Sequence, residues 1–153
     1  MISRKTKYAL KALLYLGRRY DGGPVLIADL AREENIPKKF LELILLALKN
    51  NGILQSRKGK GGGYFLAKEP GEIVMGKVIR LMEGPLAPVP CVSETAYARC
   101  DECNDEMTCG IRLLMKRVRD AIARIYDGTT LADLLEGAAR AEIETKGIMN
   151  FSI

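Results

Sequence analysis

Histidine is absent from the 153 residues of this sequence. Because histidine is the commonest general acid and base in catalysis, its absence weakens any interpretation of the chain as an enzyme. No apolar run is long enough to span a bilayer, and the first residues lead into an amphipathic pattern instead of a signal peptide. We therefore expect a cytoplasmic protein that is not an enzyme and has no membrane partner.

Acidic residues are scarce in the first half of the chain. Residues 1–68 contain fourteen Lys/Arg and five Asp/Glu, a net charge of +9, whereas residues 69–153 have a net charge of −4. A basic half is typical of proteins that bind nucleic-acid phosphates. The simpler alternative is that the positive charges only form a solvated basic face. The order of helix, break, helix and hairpin in the same half makes this alternative less favoured than nucleic-acid binding.

Two short helices separated by a tight break are predicted in this basic half. The first is apolar on one face, and Asn35, which tolerates a left-handed backbone, ends it. Pro37 suits the first turn of the second helix, where its missing N–H is not needed. The second helix has one apolar stripe, formed by Leu41, Ile44, Leu45 and Leu48. Lys38, Lys39 and Glu42 remain at its N-terminal end, which a recognition helix presents to base edges.

A hairpin with a glycine-rich tip is predicted directly after the second helix. Strand-forming residues 53–56 and 64–66 flank a tip that contains four glycines together with Arg57, Lys58 and Lys60. Basic residues on such a tip can reach phosphates or enter a minor groove. A nucleotide-binding P-loop is the weaker alternative, because it requires Gly-Lys-Ser/Thr at the start of a helix. The order helix, break, helix, hairpin is that of a winged helix-turn-helix, which reads DNA.

Amphipathic helices are also predicted on both sides of this unit. Residues 4–20 form the first helix of the chain, and residues 73–83 form a short one. The apolar positions of the first helix are expected to pack under the helix-turn-helix: Ala9, Leu13, Leu16 and Tyr20. Residues 110–127 form the longest helix, and its continuous apolar stripe favours a homodimer. The same stripe could also cover part of its own chain.

A further short helix is predicted near the end of the chain. Thr130 with Asp133 is typical of a capping box, and an apolar pattern follows it. The tail from Ala141 is weakly patterned, and we expect it to fray.

All four cysteines lie in one loop, residues 84–109, which three prolines keep irregular: Cys91, Cys100, Cys103 and Cys109. An iron–sulfur cluster ranks first as the group that these cysteines would bind, because irregular cysteine spacings on a flexible loop are normal for such clusters. Structural zinc ranks second, because only Cys100 and Cys103 form a close pair and no histidine is present. A thiol switch ranks third. The simplest case would be four cysteines that bind nothing and pack in the core. A loop interrupted by prolines is a poor place for core packing, so this case is weakly supported.

The sequence resembles the Rrf2 family of bacterial winged-helix transcription regulators, which includes IscR-, NsrR- and CymR-like members. The resemblance covers nearly the whole chain and rests on short segments at residues 7–9, 27–31, 36–42, 59–64, 118–121 and 130–134, with the cysteine loop between them. It implies sequence-specific binding to a double-stranded DNA operator, a homodimer joined by the long helix, and often a sensory cluster. The signal would be redox state, nitric oxide or iron–sulfur status.

The resemblance also implies roles for single residues. Three family cysteines match Cys91, Cys103 and Cys109, and Cys100 is additional. Arg112 stands where IscR-like members have a histidine ligand, and Lys7 stands where NsrR-like members have an aspartate ligand. With both usual fourth ligands missing, Cys100 is the natural replacement, and the cluster could hold two or four irons. Glu42 matches a residue that contacts bases, and Lys58 matches an arginine of the wing that enters the minor groove.

The sequence therefore predicts a mainly α fold with a small β-hairpin wing and a long C-terminal dimerisation helix. Residues 1–83 would form the DNA-binding domain, residues 84–109 the cluster-binding loop, and residues 110–153 the dimerisation helix and tail. The DNA-binding residues would be Lys38, Lys39, Glu42, Arg57, Lys58 and Lys60, and the metal ligands Cys91, Cys100, Cys103 and Cys109. The alternative is the same fold without a cluster, acting through thiols, zinc or a partner protein. A redox enzyme built on the cysteines is less favoured, because no cofactor-binding fold is recognisable.

Overall fold

The computed structural model describes the backbone of residues 2–150 and the side chains of residues 2–148. These residues form helices α1 (Arg4–Arg18), α2 (Ile27–Glu33), α3 (Lys38–Asn50), α4 (Met75–Glu83), α5 (Gly110–Asp127) and α6 (Leu131–Asn150). Two antiparallel strands, β1 (Leu54–Arg57) and β2 (Gly63–Leu66), lie between α3 and α4. None of the described helices is both long and apolar enough to cross a membrane.

Helix α1 lies at the centre of the core and contacts α3, α4, α6 and the hairpin. Ala9 and Leu13 on its inner face are fully buried. Ser3 caps the helix by accepting a hydrogen bond from the N–H of Thr6. Glu83, at the end of α4, accepts hydrogen bonds from the Thr6 hydroxyl and the Ser3 N–H, and these bonds lower its pKa. The start of α1 is thereby fixed to the end of α4.

The helix-turn-helix consists of α2 and α3, which pack against each other, and α3 also packs against α1. Asn35 has φ 53°, so the predicted left-handed residue between the helices is confirmed. Ile36 follows it and is only 3% exposed, which anchors the turn in the core. The predicted stripe of α3 is also confirmed, because each of its four residues is at most 2% exposed: Leu41, Ile44, Leu45 and Leu48. Gly52 ends the unit with φ 71°.

The wing is the hairpin of β1 and β2, in which Leu54 pairs with Leu66 and Arg57 with Gly63. Arg57 thus belongs to β1, which corrects its predicted place in the tip. Backbone hydrogen bonds of 2.8 Å in both directions between Val25 and Tyr64 attach the wing to the segment before α2. Gly63 makes this approach possible, since a Cβ there would lie 2.2 Å from the carbonyl oxygen of Val25.

The start of α4 is hydrogen-bonded to the start of α6, although the cysteine loop and α5 lie between these two helices in the sequence. The N–H of Met75 donates to the carbonyl of Thr129, and the N–H of Leu131 donates to the carbonyl of Ile73, both at 2.8 Å. The predicted capping box is confirmed: the N–H of Thr130 donates to the Asp133 carboxylate, and the N–H of Asp133 donates to the Thr130 hydroxyl. Leu131 is fully buried in the same core as α1 and α3.

Two predicted helix lengths are wrong. The first helix ends at Arg18 instead of residue 20, and Tyr20 lies beyond it with 38% of its surface exposed. Helix α6 continues to Asn150 and is longer than α5, although a short helix and a frayed tail from Ala141 were expected. Residues 136–144 of this helix are rich in Ala and Glu, which favour helix, and each added residue gains one backbone hydrogen bond.

Candidate nucleic-acid interface and cysteine pocket

The N-terminal end of α3 carries the polar residues predicted to face DNA. Lys38, Lys39 and Glu42 are all exposed. Within the described chain, none of the three takes part in an ion pair or a side-chain hydrogen bond, so their charges are available to a ligand. No side chain caps α3, whose preceding residue is Pro37. An uncapped helix start is a favourable position for a phosphate group.

The tip of the wing carries two exposed lysines, Lys58 and Lys60. The backbone around them is tightly wound: Gly59 and Gly61 have φ 87° and 74°. A Cβ on Gly62 would lie 2.2 Å from the carbonyl oxygen of Arg57. The lysines are therefore presented on a tip whose shape depends on glycine.

The wing and the recognition helix are joined by a contact that the sequence did not suggest. The ammonium group of Lys49, near the end of α3, donates a 2.7 Å hydrogen bond to the hydroxyl of Ser56 in β1. The guanidinium of Arg57 lies 5.9 Å from the ring centre of Phe65, within the range of a cation–π contact. The first contact joins α3 to the wing, the second lies within the wing, and both leave a positive side chain exposed.

The four cysteines line one cavity of about 210 Å³, together with Val89, Glu102, Ile111 and Arg112. Cys91 is buried in a short 3₁₀ turn, Pro90–Val92. Desolvation, followed by a hydrogen bond with Cys91, raises the pKa of the Cys100 thiol. Among the described residues, no three Cys, Asp or Glu side chains are placed to hold a single metal ion. The thiols thus share a cavity without converging on one point.

Cys109 is the N-cap residue of α5, and its sulfur accepts a 3.5 Å hydrogen bond from the N–H of Arg112. A helix N-terminus suits an anionic sulfur. The Nε atom of Arg112 is buried and has no hydrogen-bond partner in the described chain. A buried guanidinium N–H without an acceptor is costly, and here it lies beside four thiols. An anionic group in the cavity would satisfy it.

Arg119 connects the cysteine pocket to the middle of α5. Its guanidinium donates a 2.6 Å hydrogen bond to the carbonyl of Val92, next to Cys91, and pairs with Asp120 on its own helix. Glu94 in the loop lies 3.7 Å away. Only 14% of the Arg119 side chain is exposed, and this side chain joins the Cys91 turn to α5.

One face of α5 is apolar and uncovered in the single chain. Ile111 and Ile125 are 68% and 65% exposed, and Leu114 and Val118 are 52% and 37% exposed. These residues recur at helical spacing along the predicted stripe. An exposed apolar stripe of this length marks an interface.

A recognition helix, a basic wing and an uncovered apolar helix together define a winged-helix DNA-binding regulator. The family model described as "Iron-dependent Transcriptional regulator", Rrf2, matches residues 2–137, and the chain belongs to this family. The resemblance and the winged-helix fold predicted from the sequence are thus confirmed.

Individual relatives agree with this assignment, and they are named as transcriptional regulators instead of enzymes. An rrf2-like HTH-type regulator of Rhodobacter capsulatus is 42% identical over 138 residues, which cover 88% of this chain and 92% of the relative. NsrR of Geobacillus kaustophilus is 36% identical, with 90% and 91% covered. CymR of Bacillus subtilis, described as the global cysteine regulator, has a solved structure with a TM-score of 0.74 and 33% identity, with 89% and 96% covered. IscR of T. potens has a TM-score of 0.73 and 28% identity, with 92% and 90% covered.

Proposed function

We propose that this protein is a cytoplasmic, homodimeric DNA-binding regulator whose cysteine pocket holds an iron–sulfur cluster that modulates operator binding. The observation that carries the proposal is the placement of four thiols around one cavity, at the N-terminus of the helix that would join the dimer. The same chain carries a recognition helix and a basic wing. Sensor and DNA reader are thus parts of one molecule.

Operator binding would use α3 and the wing. Lys38 and Lys39 lie at the start of the recognition helix, and Lys58 and Lys60 lie at the tip of the wing. Positive side chains at these positions neutralise phosphates and release counterions. Glu42 is the candidate base-reading residue, because a carboxylate accepts a hydrogen bond from the cytosine amino group in the major groove.

The residues of the cysteine pocket fit an iron–sulfur cluster. Sulfur donors are the ligands that such clusters take, and all four cysteines face the same space. The unpartnered Nε–H of Arg112 would donate to a thiolate or sulfide there, and the positive charge of Arg112 would offset their negative charge. A single zinc ion fits less well, since tetrahedral zinc requires ligands that converge on one point. When bound, a cluster supplies a group that gains or loses electrons and is sensitive to oxidants.

The pocket is joined to the rest of the molecule at two places. Cys109 starts α5, and Arg119 holds the turn that contains Cys91. Ordering the loop between these two anchors would fix α5 relative to the winged unit, and ordering of a segment is a common switching device. In a homodimer joined through α5, such a change would alter the spacing of the two recognition helices.

A thiol switch is the second candidate, and the shared cavity favours it. Cys91 and Cys100 line the same cavity, so an oxidant that removes two electrons and two protons from them would form a disulfide. The similarity to CymR, described as a global cysteine regulator, is consistent with a sensor that uses thiols.

Anaerobic reconstitution tests the proposal. Wild-type protein and Cys103→Ala would be supplied with ferrous iron and sulfide, and their absorbance, iron content and sulfide content measured. Met107→Ala is the matched control, because Met107 lies in the same loop, is 79% exposed and is not a proposed ligand. We expect cluster uptake by the wild type and the control, and loss of most of it in Cys103→Ala. Affinity for a duplex selected from a random-sequence pool should change on loading.

Two results would redirect the proposal. A wild type that binds DNA but takes up no iron and sulfide would favour the thiol switch, which mass spectrometry of the oxidised protein would show as a Cys91–Cys100 disulfide. Equal operator affinity with and without a loaded cluster would make the cluster a structural part instead of a sensor.

A further inference from the structure

The solvent-facing side of the recognition helix is apolar at its centre. Lys39, Leu43, Leu46 and Asn50 recur at intervals of four, three and four residues, which places them on one face of α3, opposite its buried stripe. Leu43 and Leu46 are 67% and 47% exposed. Phe40, one turn before Leu43 and Ile44, is 61% exposed. The surface that should face DNA thus carries large apolar side chains between polar ends.

The fold does not require these apolar side chains. The core of the helix-turn-helix is closed by the opposite face of α3, whose four stripe residues are almost fully buried. Leu43, which is two-thirds exposed, contributes little to packing inside the chain. Its apolar surface is therefore free for a contact with another molecule.

The charges around the patch indicate which molecule that is. Lys39 lies at one end of the same face, and the wing lysines Lys58 and Lys60 stand on the neighbouring element, all without an acidic partner in the described chain. A partner must therefore be apolar opposite Leu43 and anionic on both sides. The major groove of DNA has this pattern: thymine C5-methyl groups line its floor, and phosphates line its edges. An apolar protein groove would leave the lysines unpaired.

We propose that Leu43 reads thymine by packing against its C5-methyl group in the operator, and that Leu46 extends this contact. Leu43 lies in the second turn of α3, within the N-terminal part that reaches base edges in helix-turn-helix proteins. It directly follows Glu42, the candidate reader of cytosine. Each half-site should accordingly contain a T·A pair close to the C·G pair that Glu42 contacts. This inference rests on the proposed operator binding and deepens it.

Deoxyuridine provides the test, because uracil keeps every hydrogen-bonding group of thymine and lacks only the methyl. Duplexes would first be selected by the wild-type protein from a random-sequence pool. Each thymine of the selected site would then be replaced singly by deoxyuridine. We expect the wild type to lose about three- to fivefold in affinity at one or two thymines per half-site, as removal of one buried methyl predicts. Leu43→Ala should bind the thymine and uracil duplexes equally at those positions.

A matched control separates this effect from a general loss of apolar surface. Ile143→Ala removes a side chain that is 71% exposed on α6, and it should discriminate thymine from uracil as the wild type does. Light scattering would be recorded for each variant, since a change of oligomeric state in Leu43→Ala would assign the patch to a protein contact and overturn the proposal.

Failure of the inference and failure of operator binding give different results. A wild type that binds its selected duplex but tolerates uracil at every position would overturn the role of Leu43 and leave DNA binding intact. Retention of the thymine preference by Leu43→Ala would do the same. If the wild-type protein enriches no sequence from the pool, the proposed operator binding is contradicted, and the inference about Leu43 is contradicted with it.

Discussion

Arg80 and Asp127 form a two-pronged ion pair that joins α4 to the last residue of α5. The two guanidinium nitrogens donate to the two carboxylate oxygens at 2.5 and 3.0 Å. The pair lies directly over Gly76, where a Cβ would stand 1.9 Å from the Asp127 carboxylate. Because residue 76 is glycine, the Asp127 carboxylate has room to pair with Arg80, and this pair joins α5 to α4.

The Arg80–Asp127 pair should make stability depend on pH. The hydrogen bond from Arg80 lowers the pKa of Asp127 below its ordinary value of 3.8, so the pair stabilises the fold above that pH and the contribution is lost as pH falls through the lowered value. Because both side chains are partly exposed, Asp127→Asn should cost no more than about 1 kcal/mol near neutral pH. Urea denaturation at a series of pH values measures this difference.

The difference in unfolding free energy between wild type and Asp127→Asn should shrink as pH falls through the lowered pKa of Asp127, because the wild-type carboxylate becomes protonated. Asp101→Asn is the control, since Asp101 is exposed and has no ion-pair partner in the described chain. A difference that stays constant with pH would show that the charge of Asp127 contributes nothing.

The apolar face of α5 predicts a homodimer, and two adjacent leucines provide a matched test. Leu113 and Leu114 are both 52% exposed, but only Leu114 lies on the stripe with Ile111 and Val118. Leu114→Asp would bury an unpaired charge in the proposed interface, which should weaken the dimer at least about a hundredfold. Leu113→Asp should leave it intact. Analytical ultracentrifugation measures both, and equal behaviour of the two variants would place the interface elsewhere.

Lys58 should contribute to affinity through phosphate without sequence preference. Lys58→Ala is expected to weaken binding to all duplexes alike and to reduce the slope of log affinity against log salt by about 1. Fluorescence anisotropy at several salt concentrations measures the slope. Lys146→Ala removes an equal charge from α6 and should keep the wild-type slope. A Lys58→Ala slope equal to that of the wild type would contradict a phosphate contact at the wing tip.

Glu42 should determine which base is preferred. Glu42→Gln keeps the size of the side chain but adds a donor, and a glutamine amide pairs best with adenine in the major groove. Selection from a random-sequence pool should therefore show one position per half-site that changes from cytosine to adenine. Glu42→Ala should relax the preference at that position. An unchanged consensus for both variants would exclude Glu42 from base reading.

Several features of the fold were predictable from the sequence because their signals are local. The stripe of α3, the left-handed Asn35 and the capping box of Thr130 each depend on neighbouring residues, and all three are present in the structure. The grouping of the cysteines into one pocket also followed from their closeness in the sequence.

Contacts between distant segments were not predictable in this way. Lys49 meets Ser56 only because β1 turns back along α3, and Arg80 meets Asp127 across an intervening loop and helix. The unpartnered Nε of Arg112 has no sequence signal at all. The length of α6 was underestimated because an exposed helix that lacks a regular apolar stripe shows only propensity, which is a weak predictor. The division of the chain into residues 1–83, 84–109 and 110–153 stays a prediction.

The two backbone hydrogen bonds between residues 73–75 and 129–131 have a consequence for engineering. They hold the start of α4 next to the start of α6, so the cysteine loop and α5, which lie between α4 and α6 in the sequence, leave the core after α4 and return to it beside the start of α4. The cysteine loop and α5 therefore form an exchangeable segment. A different sensor with its own dimer helix could be grafted between the end of α4 and Thr129, and the recognition helix and wing would keep their support from α1, α4 and Leu131. Chimeras of this kind would combine a new input with an unchanged operator.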